Sequence, residues 1–244
     1  TTSKIFLFLL IPMMFAFPQN VIFKSITTQE GLSSNDVNCL IQDKFGFIWI
    51  GTDNGLNRFD GTEFKIFRNK QNDSNSISDN GIWSLYEDRI GNIWIGTKGG
   101  VVNKYSPEFE TIEHIKLTEK GSTSNSITAI LEDNNGSIWI GTYSQGLFNY
   151  NPLTKKIKNW KYDPNTKNGL CNNYITSLLQ DRNGFIWIST YNGLNRLNPD
   201  NVADGFTVFL SDDLNIKTIS NNLVWKISQS KLNQDLLWVG TANG

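Results

Sequence analysis

The chain has 244 residues, a net charge of −1 from 22 basic and 23 acidic residues, and 12% aromatic against 18% charged side chains. That balance favours packed β-structure over disorder, and the lack of a large Lys/Arg cluster argues against nucleic-acid binding. A closed structural zinc site would need nearly all of the single histidine and two cysteines at once. We therefore predict no metal, no cofactor and no histidine-dependent catalytic triad.

Residues 1–18 are predicted to be a signal peptide. Lys4 precedes a 13-residue apolar run over residues 5–17, which is shorter than the roughly 20 residues a membrane-spanning helix needs. A positive charge followed by a short apolar run is typical of a secretory signal. We expect export to the periplasm or cell surface; a buried N-terminal strand is the alternative.

A phrase built on Ile-Trp-Ile-Gly-Thr recurs along the rest of the chain. The pattern Asp-x-x-Gly-x-Ile-Trp opens four copies, and a fifth, looser copy ends in Leu-Trp-Val-Gly-Thr. The five tryptophans are spaced 45, 45, 48 and 51 residues apart. Self-similarity at such a period indicates a repeat architecture.

Each copy predicts four short strands. In the third copy, alternating residues 127–132 precede a turn at 133–136, and further strands are predicted at 137–143, 146–150 and 155–161. Four strands per repeat with no helical period are typical of a β-propeller blade. We predict an all-β fold, a β-propeller over residues 22–244, with four-stranded blades at roughly 35–70, 80–117, 125–162, 173–210 and 222–244, the last truncated.

The ring is predicted to be incomplete. Residues 22–28 parallel the fourth strand of blade one, so we expect them to form the outer closing strand of a later blade. About five blades are then present, of seven expected in the whole ring. Cys39 falls on an innermost strand and Cys171 in the loop before blade four, about three blades away, so no disulfide between them is expected.

The phrases at residues 31–35 (Gly-Leu-Ser-Ser-Asn), 48–61 and 72–80 resemble the two-component regulator propeller repeat. The resemblance covers residues 23–244 over five copies. It implies the extracytoplasmic sensor region of a hybrid two-component histidine kinase, on the periplasmic side of an inner-membrane protein. It further implies an oligosaccharide ligand derived from a polysaccharide, a homodimer formed through the full ectodomain, and membrane attachment only through a downstream helix.

The repeated aspartates and tryptophans are interpreted as structural. The Asp-x-x-Gly-x-Ile-Trp phrase is similar to the Asp-box turns of sialidase-type propellers, but a catalytic residue need occur only once. We expect the aspartates to form turns on the outside of each blade and the tryptophans to pack between blades. In the fifth copy Ser230 replaces the aspartate and two extra residues predict a longer turn. The structural residues are Asp43, Trp49, Asp88, Trp94, Asp133, Trp139, Asp181, Trp187 and Trp238.

Candidate ligand contacts lie in the loops that surround the predicted channel mouth. Propellers usually carry function on such loops, and amide, hydroxyl and aromatic groups suit sugar hydroxyls and C–H faces. The same residue types are also ordinary turn formers. The candidates are Asp53, Asn54, Lys98, Tyr143, Gln145, Tyr191 and Asn192.

The predicted function is a sensor module that controls a downstream histidine kinase, with no enzymatic activity in this segment. A secreted propeller lyase or glycosidase is one alternative, and a scaffold for protein contacts is another. The enzyme reading is disfavoured because most aspartates repeat and the one histidine, His114, lies in an alternating stretch predicted as a strand.

Overall fold

A computed structural model describes residues 23–118, 125–212, 214–215 and 217–244. The predicted signal peptide lies outside these residues. The described chain consists of eighteen β-strands and two short 3-10 turns, Thr28–Glu30 and Val202–Asp204. No helix in these residues is long and apolar enough to span a membrane.

The strands form four four-stranded sheets and one two-stranded sheet, all antiparallel and all connected in chain order. Each four-stranded sheet is one blade. By blade, the strands are β1 Val37–Gln42, β2 Ile48–Thr52, β3 Gly55–Phe59 and β4 Phe64–Phe67; β5 Ile82–Glu87, β6 Ile93–Thr97, β7 Val101–Ser106 and β8 Thr111–Lys116; β9 Ile127–Glu132, β10 Ile138–Thr142, β11 Leu147–Tyr150 and β12 Ile157–Trp160; β13 Ile175–Gln180, β14 Ile186–Thr190, β15 Gly193–Leu197 and β16 Phe206–Phe209; and β17 Val224–Gln229 and β18 Leu237–Thr241.

The innermost strands, β1, β5, β9, β13 and β17, stand side by side around a common channel. Consecutive members of this row pack against each other, and side chains from all five line a cavity of about 390 Å³. This radial arrangement of meander sheets confirms the predicted all-β propeller of four-stranded blades. The seven-blade count for the whole ring stays a prediction.

Hydrogen bonds join neighbouring innermost strands at a repeated irregularity. Each of these strands has a register shift at its start, the local disruption that a β-bulge produces. In four cases a side chain of the preceding blade donates a hydrogen bond to the carbonyl of the residue that begins the next innermost strand. These bonds are Asn38 Nδ2 to Ile82 O at 3.0 Å, Ser84 Oγ to Ile127 O at 2.8 Å, Thr128 Oγ1 to Ile175 O at 2.6 Å, and Thr176 Oγ1 to Val224 O at 2.6 Å.

The hydrophobic core lies between blades. The buried Trp49 ring of blade one packs on Tyr105 of blade two at a centroid distance of 5.4 Å. Each of the four buried clusters likewise combines residues of consecutive blades. Close approach also requires glycine: a Cβ on Gly141 of β10 would lie 2.5 Å from Ile175 Cγ2 of the next blade. Gly51 and Gly96 occupy the same position in blades one and two and face the same kind of contact.

Within the described residues, no strand pairs with the segment predicted as the outer closing strand, residues 22–28, so this strand stays a prediction. Residue 22 lies outside the described residues, and residues 23–27 belong to no sheet, because a strand requires a hydrogen-bonded neighbour and no described strand pairs with them. Thr28 N nevertheless donates to Asn35 Oδ1 at 2.9 Å, as Asn69 N donates to Asn80 Oδ1 at 2.8 Å after β4. Residues 23–27 therefore lead into blade one through the same kind of hydrogen bond by which the fourth strand of blade one, β4, leads into blade two.

Candidate functional site

The blades present two opposite faces to solvent. Because the four strands alternate in direction, the turn between the second and third strands lies on the same side as the loops that link blades. We call this side the mouth. The turns between the first and second strands and between the third and fourth strands lie on the opposite side, which we call the base.

The repeated aspartates hold the first turn of each blade at the base. In blade three, Asp133 is buried; its Oδ1 accepts from the N–H groups of Asn135 and Ser137 at 2.9 Å, and its Oδ2 accepts from Trp139 Nε1 at 2.7 Å. Both carboxylate oxygens are thus occupied by the fold. The same indole bond is present for Asp43 and Trp49 at 2.7 Å, Asp88 and Trp94 at 2.8 Å, and Asp181 and Trp187 at 2.8 Å.

The position of this turn and the environment of Trp238 differ from the prediction. The aspartates do not lie on the outside of the blade, because their hairpin connects the innermost strand to the second strand. In the fifth copy the turn is longer, as expected, and closes from Ser230 N to Leu236 O at 3.0 Å. Trp238 is 61% exposed and makes no inter-blade contact of the predicted kind, because in the described residues its sheet has two strands and no later blade covers it.

At the mouth, backbone hydrogen bonds place one turn residue of every blade in a ring. The first residue of each turn between second and third strands donates its N–H to the carbonyl of the residue before that blade's innermost strand. Four of the predicted ligand contacts occupy this position on successive blades. The pairs are Asp53 with Asp36 at 3.2 Å, Lys98 with Gly81 at 2.8 Å, Tyr143 with Ser126 at 3.0 Å, Tyr191 with Tyr174 at 3.2 Å, and Ala242 with Leu223 at 3.0 Å.

Four aromatic rings form a continuous row at the mouth across blades three to five. The centroids of Tyr143 and Tyr174 are 4.2 Å apart, those of Tyr174 and Tyr191 3.6 Å, and those of Tyr191 and Trp225 5.4 Å. Tyr143, Tyr191 and Trp225 are each between 36% and 48% exposed. We call these four residues the aromatic row.

The repeat does not require aromatic residues at these positions. Tyr174 occupies the position of Gly81 in blade two and Ser126 in blade three, directly before the innermost strand. Trp225 occupies the position of Thr176, whose hydroxyl bonds the next blade. The residues at the Tyr174 position in the other blades are Asp36, Gly81, Ser126 and Leu223, and those at the Trp225 position are Asn38, Trp83, Thr128 and Thr176. The fold therefore does not need an aromatic ring at either position, so the row indicates a role beyond folding.

The pKa of Tyr174, the half-buried tyrosine of the row, lies above its usual range. Burial raises the pKa of the Tyr174 hydroxyl, and its side-chain hydrogen bond with Tyr191 raises that pKa further. Charged groups flank the row on the preceding blades: Lys98 is exposed at the turn of blade two, and Asp53 Oδ1 of blade one accepts from Asn38 Nδ2 at 2.9 Å. The mouth thus combines neutral ring faces and hydroxyls with a cation and a carboxylate.

The remaining predicted contacts face their own blades more than the mouth. Asn54 Nδ2 donates to Ser33 O at 3.3 Å, and Gln145 Oε1 accepts from Lys161 Nζ at 2.5 Å. Asn192 is exposed in the turn beside Tyr191, where its N–H bonds the Thr190 hydroxyl.

Sequence reasoning missed Tyr174 and Trp225. Both lie at the start of an innermost strand, where residues of other copies, such as Thr176, form hydrogen bonds between blades. Their available signal was an aromatic side chain at a position that the other blades fill with non-aromatic residues, except for Trp83 of blade two.

The histidine and the cysteines are not members of the aromatic row. His114 is on β8, and its Nε2 lies 2.7 Å from the carbonyl oxygen of Ser76. Cys39 and Cys171 are free thiols; burial raises the pKa of Cys39 to about 12 and raises that of Cys171 as well. Within the described ranges no group of three His, Cys, Asp or Glu side chains is placed to hold a metal ion.

Comparison with known proteins identifies the repeat. The sequence model of the two-component regulator propeller matches residues 31–54, 76–99, 121–144 and 169–192. Histidine kinase P4 of Formosa agariphila is 53% identical over 58 residues, which are 24% of this chain and 4% of that protein.

Solved structures share the fold. The extracellular domain of BT4673 from B. thetaiotaomicron, named as a hybrid two-component system, is 27% identical with a TM-score of 0.69, over 84% of this chain and 26% of that chain. Virginiamycin B lyase from Staphylococcus aureus has a TM-score of 0.60 at 17% identity over 84% of this chain and 63% of that chain, a likeness of fold alone. The chain thus spans about a quarter of the first of these structures. Four consecutive blades of this chain thus carry two-component regulator propeller repeats.

Proposed function

We propose that this chain is the ligand-sensing part of an exported two-component sensor. In this proposal the aromatic row binds an oligosaccharide released from a polysaccharide, and binding changes the signalling state of a histidine kinase encoded in the same full-length protein. The observation that carries the proposal is the aromatic row itself, an exposed set of rings at the mouth that the repeat does not require.

The chemistry of the mouth suits a sugar. Aromatic rings offer large flat apolar surfaces with a polar handle, against which the C–H face of a pyranose can lie. Ligand sites typically add a few placed polar groups to such surfaces. Tyr hydroxyls, the Lys98 ammonium and the Asp53 carboxylate supply donors and acceptors for sugar hydroxyls on the adjoining blades.

Signalling follows from unequal binding to two states. A ligand shifts a conformational equilibrium only as far as it binds one state more tightly than the other. We propose that the two states are arrangements of a homodimer formed through the complete ectodomain, on the periplasmic side of the inner membrane, with a membrane helix and the kinase downstream. The likeness of this chain to the extracellular domain of a hybrid two-component system supports this placement.

The alternative of a propeller lyase or glycosidase draws no support from the mouth. The likeness to virginiamycin B lyase is one of fold alone. Repeated aspartates are occupied by turn hydrogen bonds at the base. Turnover of a polysaccharide by the purified chain would reverse this ranking.

The test is calorimetric titration of the complete extracytoplasmic region with a panel of oligosaccharides. We expect at least one saturable binder, whose affinity falls at least about tenfold in Tyr191→Ala and in Trp225→Ala, the loss typical of a central contact residue. Phe45→Ala, an exposed aromatic residue at the base, is the matched control and should bind as the wild type does. A panel with no binder, or binding equal in all four proteins, would contradict the proposal.

A further inference from the structure

A second cleft lies at the base, between blades one and two. It has a volume of about 810 Å³ and is formed by the first turns of both blades, the turn between β7 and β8, and parts of β3, β7 and β8. We call it the base cleft. Its position on the face opposite the mouth separates it from the aromatic row.

Exposed apolar side chains surround the base cleft. Phe45 is 67%, Ile90 78% and Phe109 70% exposed. Phe45 and Ile90 occupy the turn position that holds Asn135 in blade three and Asn183 in blade four. Since asparagine satisfies that turn, folding does not explain the apolar residues in the first two blades, and grouped exposed apolar side chains mark interaction sites.

The cleft also carries an excess of positive charge. The Arg58 guanidinium lies 4.6 Å from the Phe47 ring centroid, and Lys104 Nζ lies 5.8 Å from that of Trp94. Among the described residues neither cation has a carboxylate within ion-pair distance. A third cation, Lys44, donates from Nζ to the Ile90 carbonyl at 2.8 Å.

Two carboxylates share the cleft, but one of them is already paired. Glu113 accepts from Lys155 Nζ at 2.8 Å, whereas Glu108 has no ion-pair partner in the described residues. Three cations therefore face one unpaired carboxylate. A ligand that fills the cleft must satisfy two surplus positive charges and cover exposed apolar side chains.

We propose that the base cleft docks an acidic segment of a partner protein, one whose Asp or Glu residues alternate with aromatic or aliphatic side chains. Carboxylates would pair with Arg58 and Lys104, and an apolar anchor would contact Phe45, Ile90 and Phe109. An aliphatic side chain such as Ile90 offers no ring face to a sugar, which favours a peptide over an anionic glycan. Arginine and aromatic residues are the types that concentrate at the centres of protein interfaces. This inference is independent of ligand binding at the mouth.

The test is selection of random peptides displayed on phage against the complete extracytoplasmic region, followed by fluorescence anisotropy of the enriched peptides. We expect enriched sequences that combine Asp or Glu with Phe, Trp, Leu or Ile. Their affinity should fall at least about tenfold in Arg58→Gln and in Phe109→Ser, and should weaken as salt screens the exposed charges.

Two matched controls come from later blades. Arg196 lies 4.7 Å from the Phe185 ring as Arg58 lies over Phe47, and Leu153 is 93% exposed in the turn of blade three that corresponds to the Phe109 turn. Arg196→Gln and Leu153→Ser should leave peptide binding unchanged. Thermal melts of all four variants verify that each is folded.

Three results would overturn the proposal. One is the enrichment of no peptide or of peptides without acidic residues. Another is binding that Arg58→Gln and Phe109→Ser do not weaken. The third is tight binding of dextran sulfate, lost in Arg58→Gln and kept in Phe109→Ser, which would assign the cleft to an anionic glycan.

Discussion

The buried aspartate in the first turn of blades one to four should be a principal source of stability, and Asp133→Ala tests this. The substitution removes the acceptor for two backbone N–H groups at 2.9 Å and for the Trp139 indole at 2.7 Å. A hydrogen bond to a charged group contributes about 1.5 to 3 kcal/mol, but three bonds to one carboxylate are not additive. We expect the free energy of unfolding to fall by about 3 to 4 kcal/mol, since water can reach part of the turn.

Urea unfolding followed by tryptophan fluorescence measures this loss. For a chain of this size, 1 kcal/mol corresponds to a Tm change of about 2 to 4 °C, so Asp133→Ala should melt about 6 to 16 °C lower. Asp133→Asn keeps one acceptor oxygen for the backbone donors but places an amide N–H₂ against the indole N–H. This substitution should lower the free energy of unfolding by about 2 kcal/mol.

The fifth repeat supplies the control. Ser230 stands at the aspartate position, its hydroxyl accepts one bond from Asn233 N at 3.2 Å, and Trp238 beside it is exposed. Ser230→Ala should therefore change the free energy of unfolding by no more than about 0.5 kcal/mol. Equal effects of Ser230→Ala and Asp133→Ala, or a loss below about 0.5 kcal/mol for Asp133→Ala, would contradict a stabilising role for the aspartate.

Three further predictions concern the contacts between blades and the thiols. Gly141→Ala should lower the free energy of unfolding in urea by about 1 to 3 kcal/mol, because the new Cβ would overlap the next blade. Gly240→Ala, whose Cβ would have its nearest neighbour at 3.7 Å, should lower it by less than about 1 kcal/mol. Equal losses would contradict close packing at Gly141. Thr176→Val leaves the Val224 carbonyl without the Thr176 hydroxyl donor and should lower the free energy of unfolding in urea by about 1 to 2 kcal/mol. An unchanged unfolding midpoint would contradict the inter-blade hydrogen bond. Burial raises the pKa of Cys39 to about 12, so Ellman's reagent at pH 8 should label it slowly in the native chain and rapidly in denaturant. Because the unfolded thiol ionises near pH 8.5, the stabilisation from the protonated thiol is complete below that pH and is lost as the pH rises toward 12; rapid native labelling at pH 8 would show the burial to be wrong.

The repeat made the fold predictable because its signals are local. The Asp-x-x-Gly turn and the alternation beside it fix each hairpin through bonds within a few residues, such as those of Asp133. The mouth positions of Lys98, Tyr143 and Tyr191 followed from the same register. In contrast, the contacts of Tyr174 and Trp225 arise between blades, and their geometry depends on how neighbouring sheets are tilted, which no local pattern specifies.

Two predictions depend on strands that are not among the described residues. Residues 23–27 have the sequence of an outer strand, but strand formation requires a neighbouring edge and no described strand supplies one. Trp238 has the repeat position of a buried tryptophan, but its burial requires the next blade. The residues at both places favour strand formation or burial, but the neighbouring strand or blade has to come from elsewhere in the fold.

Autophosphorylation of the full-length protein is the direct test of the proposal that ligand binding at the aromatic row controls a kinase. The rate is measured in membrane vesicles with and without an oligosaccharide that binds the extracytoplasmic region, for the wild type, for Tyr191→Ala and for Leu153→Ala, a variant of an exposed residue outside both proposed sites. We predict that the oligosaccharide changes the rate in the wild type and in Leu153→Ala and does not change the rate in Tyr191→Ala. An identical response in Tyr191→Ala, or no response in the wild type, would contradict the account.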